Sequence, residues 1–385
     1  MNPAKTFSFV LPTRIEFGAG CLSKLPDVLN ELQVKRALFV TDPGVRKACI
    51  LEEVEKKLRE SGVGFEVFDG VEANPKDRNV ESGVKLLSRI TADAIIAVGG
   101  GSPIDCAKAM AIVGKLGGRI RDYEGRGKVK AQVIPVIAIP TTAGTGSEVT
   151  FSSVITDSEK AFKFSIRDTA IAPRVALADP ALTVSMPPSL TASTGMDALT
   201  HAIEGYTATV SEPIADACAL EAVSYISRYL RQAVEEGADE EARSGMLVGS
   251  LLAGIAFSHS DVASVHCIAE ALGGMYDAPH GACNAIALPA VMEYNLPWCT
   301  DGYARIAEAM GIPFKEKAEG ARAAVDEVKQ MARDVGLPEF RSLGVAESDL
   351  EEIAGKSVMN GSNSSNPRPM KTEDYLNVLN VLIKQ

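Results

Sequence analysis

Up to about residue 180 the chain alternates short β-branched runs with stretches whose apolar residues recur every three or four positions. "RALFVTD", "FEVFDG" and "ADAIIAVGG" read as strands, while "VRKACILEEVEKKLRES", "VESGVKLLSRI" and "DCAKAMAIVG" carry helical periodicity between and after them. Strands alternating with helices predict βαβ units around a mostly parallel sheet. "QVIPVIAIP" adds a further buried strand. Beyond "ALADPALTVSMPPSL" strand-like runs nearly vanish and Ala-rich helical periods continue to the end. The expected fold is an α/β N-terminal domain with a Rossmann-like parallel sheet, residues 1–181, followed by an all-α domain, residues 182–385. The change falls between Asp179 and Pro188, where prolines interrupt the pattern. "MNGSNSSNPRPM", residues 359–370, reads as a loop before a last helix capped by Thr372.

At 385 residues the chain is long enough for two cores, and 46% of it is hydrophobic. Its apolar runs are too short to cross a bilayer, and "MNPAKTFSFVLPTRIEF" lacks the basic-then-apolar order of a secretory signal. A cytoplasmic location without a membrane partner is expected. Seven cysteines, with no C-x-x-C, fit free thiols better than a disulfide framework. With 39 basic and 50 acidic residues the net charge is −11, which would repel nucleic acid. A small-molecule enzyme is the class that remains.

Two glycine-rich turns carry candidate chemistry in the α/β half. "GGGSPIDCAK" follows a strand and opens a helix, with Ser102 able to cap and Pro103 at the favoured first position. Glycine lets backbone N–H groups approach a ligand, and a helix N-terminus favours an anion, so the turn suits a phosphate. A bland strand-to-helix turn would use the same residues. "TTAGTGSEVT", after the buried strand "VIPVIAIP", repeats the arrangement where open α/β sheets bind ligands. Asp42 ends the first strong strand; there an acidic residue can hold a ribose hydroxyl and repel a 2′-phosphate, favouring NAD over NADP. The alternative is that Asp42-Pro43-Gly44 is only a turn.

The helical half holds all four histidines of the chain. "MDALTHAIE" puts Asp197 and His201 at i and i+4, on one helix face. His266 and His280 lie fourteen residues apart, about 21 Å along one straight helix, too far to share an ion. A break at Gly273-Gly274, with Pro279 fixing the approach, would return His280 towards His266. Three imidazoles and one carboxylate suit Fe²⁺ or Zn²⁺ better than Ca²⁺ or Mg²⁺. His259 precedes His266 by seven residues, two turns on the same face if one helix spans about 255–272, and stands to line the pocket; a capping or surface role is the alternative.

These residues resemble the iron-containing, or group III, alcohol dehydrogenases, of the dehydroquinate synthase-like superfamily. "GGGSPIDCAK", "PTTAGTGSE", "DALTHAIE", "VHCIAEALGGMYDAPHG" and "NPR" at 366–368 follow that family's signatures in order over essentially the whole chain. The resemblance implies a dinucleotide-binding N-terminal domain and a metal-binding helical one. It implies that Asp197, His201, His266 and His280 are the metal ligands. It places cofactor contacts on Asp42, Asn74, Gly99, Gly100, Gly101, Ser102, Asp105, Thr141, Thr142, Thr145, Lys163 and Leu182. One position departs. Many members read V-H-x-x-A-H where this chain has "VHCIAE", so Glu270 replaces a histidine and the family's proton-transfer role is not carried over. Glu270 could orient a ligand imidazole, relay a proton, or bind the polar end of a substrate. A carboxylate beside a divalent cation stays ionised, which favours the first and third roles.

The expected activity is metal-dependent, NAD(H)-linked hydride transfer between the nicotinamide and a small primary alcohol or aldehyde, with Fe²⁺ ahead of Zn²⁺ as the metal. Glu270 and His259 are the candidate catalytic side chains, and a homodimer or larger homo-oligomer is expected. The rival is a metal-dependent lyase or cyclase of the dehydroquinate synthase type. The Asp-plus-three-His set and the lack of a Lys/Arg cluster for a polyanionic substrate stand against it. A third reading is a catalytically silent nucleotide- or metal-binding module; the complete ligand set speaks against it, because binding alone would not require both sites to face one cleft.

Overall fold

The strand-like runs of the first half form one parallel sheet in the computed structural model, which describes residues 6–48 and 50–384. Its strands are β1 (Arg14–Phe17), β2 (Arg36–Val40), β3 (Gly64–Phe68), β4 (Ala94–Gly99), β6 (Val136–Pro140) and β9 (Val175–Ala178), in spatial order β1-β9-β6-β4-β2-β3. β4 and β6 are buried at every residue, as parallel strands covered on both faces must be. Because side chains alternate across a strand, neighbours separate onto two cores. Leu38, Val40, Ile95 and Ala97 face helices α4 (Asp77–Ile90) and α5 (Gly101–Leu116). Ala37, Phe39, Ile96 and Val98 face α1 (Leu25–Glu31) and α3 (Ile50–Ser61). The short α2 (Pro43–Lys47) follows β2. Cys49, inside the stretch expected as one helix, lies outside the described residues; the other six cysteines are free thiols.

A smaller sheet, β5 (Gly125–Arg126), β8 (Phe162–Arg167) and β7 (Ser152–Asp157), completes this unit. β7 and β8 pair antiparallel, with Thr156 opposite Lys163.

The second unit is helical: α6 (Pro188–Thr207), α7 (Pro213–Glu235), α8 (Glu240–Ser260), α9 (Ser264–Tyr276), α10 (His280–Asn295), α11 (Thr300–Ala309), α12 (Lys317–Asp334), α13 (Leu350–Met359) and α14 (Thr372–Leu382). The compact units divide at Met186/Pro187, and residues 6–9 and Ala143–Thr145 belong with the helices. Arg243, fully buried on α8, ties it to α6 by donating from Nη1 to Thr191 Oγ1 at 2.9 Å. Among the described residues no single helix is long and apolar enough to cross a membrane.

The helix boundaries correct four local expectations. Gly273 and Gly274 do not break a helix; both lie within α9. Helical glycine costs only about 1 kcal/mol, whereas Pro279 cannot continue a helix and disfavours one at the residue before it. The reversal therefore falls at residues 277–279, with Asp277 left-handed at φ 52°. Nor do His259 and His266 share a helix: α8 and α9 meet at a 100° bend, with Asp261 at φ 72°. Two serine hydroxyls fix that corner, Ser362 and Ser365 donating to the Asp261 carboxylate at 3.0 and 3.4 Å. Thr372 is the first residue of α14, preceded by Lys371 at the cap. Likewise α5 begins at Gly101, so Ser102 and Pro103 are its second and third residues and Gly100 is the cap.

Candidate metal centre and cofactor site

Every residue of α6 from Gly195 to Gly205 is buried, so its polar members must find partners inside the protein. Asp197 and His201, one turn apart, present donor atoms to one side. α10 can approach because its second residue is glycine. A Cβ on Gly281 would lie 2.9 Å from the Ser193 carbonyl oxygen and 3.4 Å from Asp197 Cβ. That close approach brings His280, at the start of α10, beside Asp197, with Nε2 4.0 Å from Oδ1. α9 supplies His266, whose ring centroid is 4.6 Å from that of His201 and 5.4 Å from that of His280. One ligand atom from each of Asp197, His201, His266 and His280 lies within 4.8 Å of the others.

Glu204, three residues after His201, holds the geometry. Its Oε2 accepts from His266 Nδ1 at 2.5 Å and from Ala263 N at 3.0 Å, and its Oε1 accepts from Val265 N at 2.7 Å. The carboxylate thus caps α9 from another helix and places the His266 proton on Nδ1, leaving Nε2 to present a lone pair. Sequence reasoning missed Glu204. Its signal was a second acidic residue, seven positions after Asp197, on a helix of mostly small and apolar residues.

Burial drives the electrostatics. It pushes the His201 pKa down to about 4, against the pull of Asp197, so this imidazole is neutral and ready to ligate near neutral pH. Burial alone would raise Asp197, but His201, His280 and His266 hold it below its ordinary value. Burial likewise opposes a charge on His266, and the Glu204 carboxylate overcomes it, raising that pKa. The set fits a divalent transition metal. Four donors placed tetrahedrally around one ion at about 2.0–2.2 Å lie about 3.3–3.6 Å apart, so side-chain shifts of about 1 Å close the cluster onto a cation.

In the α/β unit, Asp42, Gly99 and Thr141 follow or end the adjacent strands β2, β4 and β6. Gly99 has φ 147°, and a Cβ there would stand 2.6 Å from Pro103 Cγ and 3.3 Å from Asp42 Oδ2, so the turn closes only with glycine. Gly100 brings no side chain to the α5 N-terminus, leaving the first N–H groups available to an anion. Asp42 also performs the turn role weighed above: its Oδ1 accepts from Gly44 N at 2.7 Å and Val45 N at 3.0 Å. Thr141 N donates to the Gly99 carbonyl at 3.0 Å. Lys163 donates to Asn74 Oδ1 at 2.7 Å, both buried, and Asn74 is left-handed at φ 50°. Leu182 lies in the apolar cluster beneath the sheet. Asp105 takes the Ser147 hydroxyl on one oxygen and Val154 N, at 2.9 Å, on the other. Lys108, which sequence reasoning also passed over, is fully buried and donates to Ser147, Thr150 and the Ser152 carbonyl at 2.8–2.9 Å. Thr145 belongs to the short stretch grouped with the helices.

The two candidate catalytic side chains have other neighbours. Glu270 Oε2 accepts from Asn360 Nδ2 at 2.5 Å. His259 Nδ1 donates to the Ile255 carbonyl at 2.8 Å, and its ring stacks on Phe9 with centroids 4.1 Å apart.

The family profile described as iron-containing alcohol dehydrogenase matches residues 12–180, and that of the family's C-terminal part matches 191–383. The chain is 41% identical over 369 residues to 1,3-propanediol dehydrogenase of Klebsiella pneumoniae, covering 94% of this chain and 95% of that one. It is 38% identical over 375 residues to NAD-dependent methanol dehydrogenase of Bacillus methanolicus, covering 97% and 98%. A crystal structure of 1,3-propanediol oxidoreductase superposes with a TM-score of 0.95 at 39% identity, covering 98% of this chain and 100% of that one. With both family profiles matched over residues 12–180 and 191–383, and relatives aligned over nearly its full length, the chain belongs to the iron-containing alcohol dehydrogenase family.

Proposed function

We propose that the protein is an NAD(H)-linked, divalent-metal-dependent dehydrogenase of small primary alcohols that also reduces the corresponding aldehydes. The observation that carries this reading is the convergence of Asp197, His201, His266 and His280 in a chain of this family. The relatives named for methanol and 1,3-propanediol support short primary alcohols as the substrate class. Fe²⁺ is the metal favoured by family membership, with Zn²⁺ compatible with the same donors. When bound, such a cation supplies Lewis acidity toward the alcohol or carbonyl oxygen.

The chain's own residues do the rest. Asp197 and the three imidazoles hold the cation, and Glu204 fixes the tautomer of His266. Gly99, Gly100, Gly101 and Ser102 receive the pyrophosphate of NAD, with Asp105, Thr141, Thr142, Thr145 and Leu182 around the cofactor. Asp42 takes the ribose hydroxyls and disfavours a 2′-phosphate. Lys163, oriented by Asn74, faces the cofactor with a fixed ammonium. With Glu204 oriented on His266, Glu270 is assigned to the polar end of the substrate and His259 to the pocket wall beside it.

The test is NADH oxidation by a panel of short aldehydes after chelation and after reconstitution with Fe²⁺, Zn²⁺, Mn²⁺ or Ni²⁺. Loss of turnover on chelation and its return with one of these metals is the expected result. Undiminished turnover in the chelated protein would refute the reading.

A further inference from the structure

Asn284 lies one turn after His280 on α10 and is fully buried. Its amide nitrogen sits 2.6 Å from Asp197 Oδ1, 3.0 Å from His266 Nε2 and 3.2 Å from His280 Nε2. Three acceptors therefore converge on a group with two N–H bonds. Its other polar atom is in the opposite condition: Oδ1 is buried with no hydrogen-bond partner. A buried amide with one side oversubscribed and the other unused costs about 1–3 kcal/mol at the unused oxygen.

The lone pairs receiving those N–H groups are the ones a cation in this donor set would take. They cannot do both, and an amide N–H turned positive end first toward a divalent ion is repelled. A carboxamide is planar, with nitrogen and oxygen nearly the same size. A half-turn about its last side-chain bond exchanges the two atoms without moving the backbone. The half-turn brings Oδ1 to within about 3 Å of three donors, the spacing of neighbouring ligands around one ion at about 2.0–2.2 Å.

We infer that Asn284 is a two-state fifth member of the metal centre: its N–H groups hold the donor set together without a cation, and its Oδ1 turns inward as an oxygen ligand when one binds. The inference rests on the metal-centre reading given under the proposed function. It explains why an amide, which offers a donor and an acceptor on one rotor, stands here instead of a leucine of similar shape. It also gives the unused oxygen a partner.

The test is Co²⁺ titration of the chelator-stripped full-length protein, following visible absorption and competition with a chelator. Wild type should bind one Co²⁺; if it binds none, the metal-centre reading itself fails. Asn284→Leu, which removes both polar atoms, should bind Co²⁺ about 10–100-fold more weakly. Its Co²⁺ spectrum should be more intense, as the coordination number falls. Asn284→Asp keeps the oxygen and loses the N–H groups. It should bind Co²⁺ at least as tightly as wild type, with an unchanged band intensity. Its stripped form should melt below wild type, because two carboxylates then face each other. If Asn284→Leu fails to fold by circular dichroism, Asn284→Ser takes its place. Asn284→Asp binding as weakly as the leucine or serine variant would overturn the inference, since the N–H groups would then be what the loaded centre uses. So would a leucine or serine variant with wild-type affinity and spectrum.

Discussion

Replacing Glu204 with glutamine changes one atom in a buried carboxylate that accepts three hydrogen bonds. Glutamine offers a single oxygen. Two donors, His266 Nδ1 and Ala263 N, converge on Oε2, and one, Val265 N, reaches Oε1. The amide therefore settles with its oxygen on the crowded side and its NH₂ against the Val265 N–H. A buried donor facing another donor costs about 1–3 kcal/mol. For a domain of about 200 residues this is roughly 2–12 °C of melting temperature. His266 keeps its tautomer but exchanges a charge-assisted bond for a neutral one about half as strong, making it a poorer ligand. Losing such a partner lowers metal affinity about 10–100-fold, equivalent to about 1.4–2.7 kcal/mol. Glu204→Ala should be worse on both counts, because it strands the Ala263 and Val265 N–H groups as well as the imidazole. Thermal melting of the stripped protein and chelator competition for Co²⁺ read the two effects separately. A glutamine variant with unchanged affinity and unchanged melting would refute the role assigned to this carboxylate.

His280→Ala should lower metal content, measured by mass spectrometry of the purified protein, together with turnover; full occupancy at full rate would remove His280 from the ligand set. Wild type should prefer NADH to NADPH, and Asp42→Gly should narrow that preference by admitting a 2′-phosphate, with some loss of stability because Asp42 Oδ1 also caps α2. The loss should be about 0.5–2 kcal/mol. A wild-type preference for NADPH would contradict the assignment. Glu270→Gln should leave metal content unchanged, raise KM for substrates with a hydrogen-bond-donating tail, and leave the shape of the pH-rate profile alone. If instead one limb of the profile vanished, Glu270 would be a proton relay.

Much of this was legible in the chain, for identifiable reasons. β4 and β6 stand out because a strand buried on both faces cannot alternate, so "AIIAVG" and "VIAIP" read as continuous apolar runs. The smaller sheet did not: "SSVITD" and "FKFSIR" mix polar and apolar positions, and β7 and β8 are defined by pairing with each other. The candidate metal ligands were readable because histidine is scarce here, so each one carries information. Their geometry was not, since it depends on where helices bend. Glycine at 273 and 274 invites a break, yet the helix runs through both and stops only where Pro279 forbids it. Glu204 and Asn284 escaped notice for a related reason. A carboxylate or an amide on a helix reads as solvent-facing until the surrounding helices are in place.

The central claim is that hydride passes between the nicotinamide of NAD(H) and a small carbinol carbon with the metal centre loaded. The most direct measurement supplies NADH deuterated at the transferring position of C4, with a short aldehyde and metal-reconstituted protein, and locates the label by NMR. The account predicts one deuterium on the carbinol carbon of the alcohol and none in water, with product formation abolished after chelation. Deuterium released to solvent, or the same labelled alcohol formed as fast by the stripped protein, would contradict it.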